Sequence, residues 1–156
     1  RKKISNKKII HIEPNLKLKK GFMNRDLGFE KWQQVVNELK DDFVFFQSSF
    51  GKDKILQNVI NLHNVNFRKS CALLSNADLF IGIEGGMHHA AAALNKNAVV
   101  IFGGFIDPLV TGYDFHNNIY VDIDGSPCGS RVICQHCKDC IKKIDLSNLK
   151  NLIINS

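Results

Sequence analysis

Leu79-Phe80-Ile81-Gly82-Ile83-Glu84-Gly85-Gly86-Met87-His88-His89-Ala90-Ala91-Ala92-Ala93-Leu94 passes from a continuous apolar segment of strand length, through a glycine pair, into an alanine-rich segment of high helix propensity. Ala98-Val99-Val100-Ile101-Phe102 supplies the next strand, closed by Gly103-Gly104, and Asn118 to Asp122 gives one more. Upstream, Lys8 to Pro14 reads as a short buried strand, because β-branched residues dominate and Pro14 cannot continue a central ladder. Phe43-Val44-Phe45-Phe46 is a further apolar run, with Ser48, Ser49 and Gly51 as its turn. Between these two, Phe29, Trp32, Val35, Val36 and Leu39 recur at spacings of three and four, which predicts an amphipathic helix over 29–40 with Trp32 in the core. Phe67 to Ala77 has a helix-compatible pattern, and Ile55 to Leu62 reads as a weaker helical or mixed segment.

Strands that are apolar throughout, and separated by helices instead of hairpin turns, indicate a parallel sheet covered on both faces. The expectation is a Rossmann-like α/β fold with a cysteine-rich loop. Within it, 1–8 is a basic linker, Asn15 to Leu27 a long loop, 125–141 a loop-rich excursion, and Leu146 to Ile154 a closing helix or strand. No internal repeat or low-complexity tract interrupts this order.

With 156 residues the chain has room for one domain, burying roughly 70% of its unfolded surface. Hydrophobic residues make up 44% and charged residues 23%, which excludes a disordered chain, a fibrous repeat and a disulfide-dominated miniprotein. The longest apolar stretches fall far short of the roughly 20 residues that cross a bilayer. No signal-peptide pattern opens the sequence, and its first residue, Arg1, reads as that of a fragment. A net charge of +6 favours anionic partners without choosing among them. Much of the excess, from Arg1, Lys2, Lys3, Lys7 and Lys8 to Lys17, Lys19 and Lys20, suits a solvated linker and loop. No aromatic residues interleave with these bases as a single-strand stacking groove would need, so nucleic acid is not favoured.

Gly85-Gly86 stands where a parallel strand hands over to a helix, the place where such sheets bind ligands. Unpaired N–H groups and the positive end of the helix dipole suit an anion there, and His88 and His89 in the first turn add donors. The other reading is a tight connection with ordinary histidines. Neither G-x-G-x-x-G nor a P-loop Lys-Ser/Thr is present, so neither a dinucleotide dehydrogenase nor a P-loop NTPase is supported. Thr111 and Gly112 follow the next strand on the same edge, as further pocket residues or an ordinary turn. His11 and Glu13 read as a satisfied strand histidine and a strand-end charge, while His63 and His116 carry no chemical signal.

The run Ala77 to Leu94, followed by Ala98 to Gly103, resembles the donor-binding half of the heptosyltransferases, glycosyltransferase family 9 with the GT-B fold. That family carries a strand, Asp-Ser/Thr-Gly-x-x-His, an alanine-rich helix and a strand ending in Phe-Gly. The alanine-rich segment places His89 on the family histidine, Gly86 on its glycine, Gly85 on its Ser/Thr and Glu84 on its Asp. Gly85 lacks the hydroxyl but keeps a backbone N–H for a phosphate. Arg25 falls on the lysine of the family's Lys-x-Trp-Pro segment, with Leu27 and Gly28 replacing Trp and Pro and Trp32 on the helical tryptophan. Arg25 keeps the charge and can grip phosphate in bidentate fashion.

The resemblance implies a nucleotide-diphosphate sugar, ADP-heptose-like, held by Arg25, Glu84, Gly85, Gly86, Met87, His88, His89, Thr111 and Gly112. It also implies inverting transfer, without a catalytic metal, to a lipopolysaccharide or other glycan or lipid-linked acceptor, in the cytoplasm or at the inner membrane face. The acceptor site and catalytic base would lie in an N-terminal domain absent from this sequence. Another GT-B enzyme, such as a nucleotide-sugar epimerase, is the enzymatic alternative, and a metal-containing basic module binding nucleic acid the non-enzymatic one.

Of the five cysteines, Cys71 stands alone while Cys128, Cys134, Cys137 and Cys140 crowd together. The C-x-x-C-x-x-C spacing lets them converge on one ion, so a structural zinc is expected, with His136 able to replace one ligand. An incomplete iron–sulfur ligand set and free thiols are the alternatives.

Overall fold

Apolar runs that cannot be split into a wet and a dry face have to be buried on both, and the sheet at the centre of the computed structural model does this. The structure describes residues 7–14 and 22–156. Along the chain come β1 (Ile9–Glu13), a 3₁₀ turn (Phe22–Arg25), α1 (Phe29–Leu39), β2 (Val44–Ser48), β3 (Ile60–Leu62), α2 (Phe67–Leu74), β4 (Leu79–Ile83) and α3 (Gly86–Ala93). They are followed by β5 (Asn97–Gly103), α4 (Pro108–Thr111), β6 (Asn117–Tyr120), α5 (Gln135–Lys142) and α6 (Leu146–Ile154). The six strands among the described residues are all parallel, in the order β3-β2-β1-β4-β5-β6. This is the Rossmann-like sheet with helices on both faces that the sequence predicts.

The two cores separate by strand parity. On one face Ile10, Ile12, Phe45, Ile81, Val99 and Ile101 meet Trp32, Val35 and Val36 of α1 and Leu149 and Ile153 of α6. On the other, Phe46, Phe80, Val100 and Phe102 meet Leu74 of α2 and Ala91 of α3. Consecutive residues of β4 and β5 therefore go to opposite cores, which is why neither strand alternates polar with apolar. Trp32 is completely buried, as its position on the helical stripe predicts.

The structure corrects the sequence reading in three places. Ile55 to Leu62 is not helical: it ends in β3, which pairs with β2 in the register Phe46↔Ile60 and Ser48↔Leu62. As an edge strand with Ile60 largely exposed it needs no apolar alternation, so its pattern is weak. The expected long loop at Asn15 to Leu27 contains the 3₁₀ turn, and 15–21 lie outside the described residues, as do 1–6 of the basic linker. The cysteine-rich excursion is only partly a loop. Its second half is α5, whose Cys137, Cys140 and Ile141 are buried.

His11 sits in the middle of the sheet, fully buried and stacked on Phe46 with ring centroids 4.3 Å apart. Its Nε2 lies 2.9 Å from Ser48 Oγ, and Ser48 Oγ lies 2.5 Å from Ser70 Oγ. Burial pushes the imidazole down to about 4. The unfolded chain therefore binds more protons between about pH 6.5 and 4, and stability is lost as the pH falls through that window, by at most about 1.4 kcal/mol per pH unit for this residue. Urea unfolding at steps from pH 7.5 to 4.5 should show the decline, and His11→Gln should make it shallower; an unchanged slope would refute the assignment.

Candidate functional site

The sheet order reverses between β1 and β4. Connections leave these neighbouring strands toward opposite faces, so their carboxyl ends open onto a crevice. A cavity of about 590 Å³ lies there, walled by Glu13 at the end of β1, Ser48 and Ser49 at the end of β2, Phe67 and Ser70 of α2, and Glu84 to Met87. A nearly extended Gly85 (φ 159°, ψ −165°) precedes α3, and a Cβ built on it would meet nothing within 4 Å. One on Gly86 would come within 3.3 Å of the Phe67 ring. The glycine pair thus lets the first turn of α3 lie bare against the cavity. Gly86, Met87 and His88 carry amides of that turn, which have no acceptor inside the helix.

Glu84 and Arg25 are brought together from distant parts of the chain and form a buried ion pair. The Arg25 guanidinium also lies over the Phe105 ring, 4.6 Å from its centroid. Burial lowers Arg25 to about 10, so it stays charged at neutral pH. Its charge is shared with Glu84, and a phosphate would have to use the guanidinium N–H groups that Glu84 leaves over.

The adjacent histidines divide sharply. His88 is fully buried; its Nδ1 accepts the Gly85 N–H at 3.3 Å and the ring also meets the backbone of Thr111. Burial, followed by the nearby His89 and His116, pushes it down to about 4, so it is neutral. The Gly85 amide is therefore engaged inside the turn, which corrects the expectation that it meets a ligand. His89 has a side chain 44% exposed, with Nε2 4.0 Å from Glu84 Oε1 and Nδ1 3.0 Å from the Tyr113 hydroxyl. Glu84, His88 and His89 each bring one donor atom within 4.8 Å of the others, but Arg25 and the Gly85 amide already occupy two of the three.

Of the expected donor residues, Glu84, Gly85, Gly86 and Met87 line the cavity, whereas Arg25, His88, His89, Thr111 and Gly112 do not. A Cβ on Gly112 would come within 2.5 Å of the Pro108 carbonyl, so packing explains that glycine. Glu13, Ser48, Asp53, Phe67 and Ser70 do line it and were not singled out as site residues. Ser48 had a readable signal: it ends a strand on the edge where ligands bind.

A family model described as glycosyltransferase family 9 (heptosyltransferase) matches residues 30–129. The chain belongs to glycosyltransferase family 9. The matched span holds Glu84 to His89 but neither Arg25 nor Cys134 to Cys140. No curated protein sequence matches this family 9 chain. Its GT-B-like fold is shared with the E. coli ADP-heptose lipopolysaccharide heptosyltransferase II, with a TM-score of 0.69 and 15% identity over 98% of this chain and 47% of that one. E. coli heptosyltransferase WaaC, solved with ADP, superimposes with a TM-score of 0.66 at 12% identity, over 96% of this chain and 44% of WaaC. The iron-containing dodecameric glycosyltransferase TibC of enterotoxigenic E. coli gives 0.72 at 14% identity, over 97% of this chain and 45% of TibC. The family 9 chain thus spans less than half the length of these proteins. No helix among its described residues is long and apolar enough to cross a membrane.

The cysteine cluster closes beyond the end of β5. Cys128, Cys134, His136 and Cys137 place one donor atom each within 4.8 Å of the others, a set able to hold a metal ion. Cys140 falls outside it, which corrects the four-thiol set. Cys140 stands three residues along α5 from Cys137, about 4.5 Å farther up the axis, where its Sγ faces His136 and Ser126 instead. At the N-cap of α5, Cys134 is held below the usual thiol range by the Cys137 amide and by Cys128. Burial, reinforced by Cys128 and Cys134, pushes Cys137 up to about 12.

The division of labour between the histidines has a measurable form. His88→Ala removes a buried ring and its bond to Gly85, and should cost about 2–3 kcal/mol in urea unfolding. His89→Ala, at a half-exposed site, should stay within about 1 kcal/mol. Equal losses would contradict the geometry.

Proposed function

We propose that this chain is the donor-binding part of a family 9 glycosyltransferase, a single nucleotide-sugar-binding domain that works with an N-terminal acceptor domain outside this sequence. The donor is a nucleotide-diphosphate sugar of the ADP-heptose class, and the acceptor a lipopolysaccharide or other surface glycan reached in the cytoplasm, at the inner membrane face. The observation that carries this is the cavity at the β1/β4 reversal, bordered by the bare first turn of α3 in a family 9 fold. Among the structural neighbours, WaaC was solved with ADP and TibC in complex with ADP-D-β-D-heptose.

In this reading the diphosphate rests on the amides of the first turn of α3, with His89 and the guanidinium of Arg25 beside it. Inverting transfer places growing negative charge on the departing diphosphate, and donors already aimed at that charge lower the barrier without reorganising. Among the described residues, the cavity walls carry the carboxylates of Glu13, Asp53 and Glu84 and no Lys or Arg, and Arg25 reaches this wall through its pair with Glu84. They suit the uncharged half of the ligand, whose nucleoside hydroxyls donate to carboxylates. The general base comes from the other domain, and no catalytic metal is required. A zinc ion held by Cys128, Cys134, His136 and Cys137 would have a structural role.

Calorimetric titration should show ADP and ADP-sugars binding in preference to UDP and GDP, with His89→Ala weakening ADP roughly tenfold, about 1.4 kcal/mol. The absence of nucleotide binding in the folded protein would overturn the proposal. For the cluster, elemental analysis should find about one metal per chain, lost in Cys137→Ser and kept in Cys140→Ser; equal loss in both variants would restore the four-thiol set.

A further inference from the structure

Asn24 is one residue from Arg25, almost wholly buried, and bonded entirely to the cysteine-rich segment. Its Nδ2 donates to the carbonyls of Ser130 at 3.0 Å and Val132 at 2.8 Å, and its Oδ1 accepts the amide of Cys134 at 3.0 Å. Both amide hydrogens and an acceptor site are thus used on a stretch more than a hundred residues away in sequence. Among uncharged side chains only a carboxamide offers two donors and an acceptor from one planar group. Leucine, of similar size, would take the partner from the Ser130 carbonyl and the Cys134 amide and leave the Val132 carbonyl to the Ser130 hydroxyl alone, and aspartate would set a charge against two carbonyls.

A second tether runs to the other surface that holds Arg25. The Cys128 amide donates to the Gly104 carbonyl at 2.9 Å, and the Gly129 amide donates to the Phe105 carbonyl at 2.9 Å. Phe105 is the ring under the guanidinium. Arg25 is therefore held from both sides by backbone that is bonded to segment 128–134, and the two ends of that segment, Cys128 and Cys134, belong to the donor cluster.

We infer that Asn24 is a positioning residue that couples the cysteine cluster to Arg25, so that binding of a metal by Cys128, Cys134, His136 and Cys137 sets the order of the turn that presents the guanidinium to the donor site. A buried carboxamide with both amide hydrogens and its oxygen paired has one low-energy arrangement, so restraint at the cluster end is carried to the turn. The coupling is reciprocal: what metal does for the Arg25 site, occupancy of that site does for metal affinity. The link to nucleotide rests on the proposed function; the link between cluster and turn does not.

Hydrogen exchange followed by mass spectrometry on the whole chain, loaded with zinc or stripped by a chelator, tests the second link directly. Stripping should speed exchange of the amides at 23–28 about tenfold in the wild type while β4 stays protected. In Asn24→Leu the same amides should exchange fast with or without zinc. If Asn24→Leu does not fold, the wild-type response decides alone. Indifference of 23–28 to chelation, an equal response in folded Asn24→Leu, or a protein that takes up no metal would each overturn the inference. Calorimetry with ADP separates the two claims. A tenfold loss of affinity on chelation, abolished in Asn24→Leu, supports both; an intact exchange response without any ADP binding supports the coupling and sinks the nucleotide assignment.

Discussion

Between β1 and β4 the connections of this sheet turn away to opposite faces, and nearly everything that gives the molecule a site follows from that reversal. Parallel strands leave their carboxyl ends on one edge, and only where the winding changes direction is that edge uncovered by a crossover. Glu13 ends one strand there and Glu84 follows the other, with their strands in the register Glu13↔Gly82. Because α3 starts from the same edge, its first-turn amides and its dipole point into the same opening.

The electrostatics of this opening are unusual for a place proposed to hold a diphosphate. Carboxylates outnumber cations along its wall, and Arg25 is engaged by Glu84 in the same buried layer. Positive character comes mostly from the backbone of α3, which is fixed in place and needs no desolvated side chain to supply it. The pairing of Arg25 with Glu84 restrains the guanidinium at the cost of part of its charge, and Phe105 restrains it from a further direction. Such a site gains from anything that holds Arg25 in register, which gives the Asn24 network a physical reason to exist.

Much of the architecture was legible in the chain. β4, and β5 beyond Asn97, carry no polar side chain because they are buried on both faces, and α1 shows its stripe because only one face is buried. The glycine pair and alanine run marked the strand-to-helix handover. β3 was missed because an exposed edge strand of three residues has no periodicity to display. The helix carrying Cys137 and Cys140 was missed because its polar residues look like loop until Ile141 is seen packed against β5.

What the amino-acid order by itself determined is local: which segments are strands or helices, where the backbone can turn without a Cβ, and which cysteines are near enough to share an ion. These depend on steric and hydrophobic preferences that act over a few residues. Tertiary structure alone decided that Arg25 meets Glu84, that Asn24 reaches across to Cys134, that His88 is spent inside the turn while His89 faces outward, and that the Cys140 thiol faces His136 and Ser126 and not the other three thiols. Each of those outcomes depends on the direction a side chain takes after segments far apart in sequence have packed, and no short-range preference contains that information.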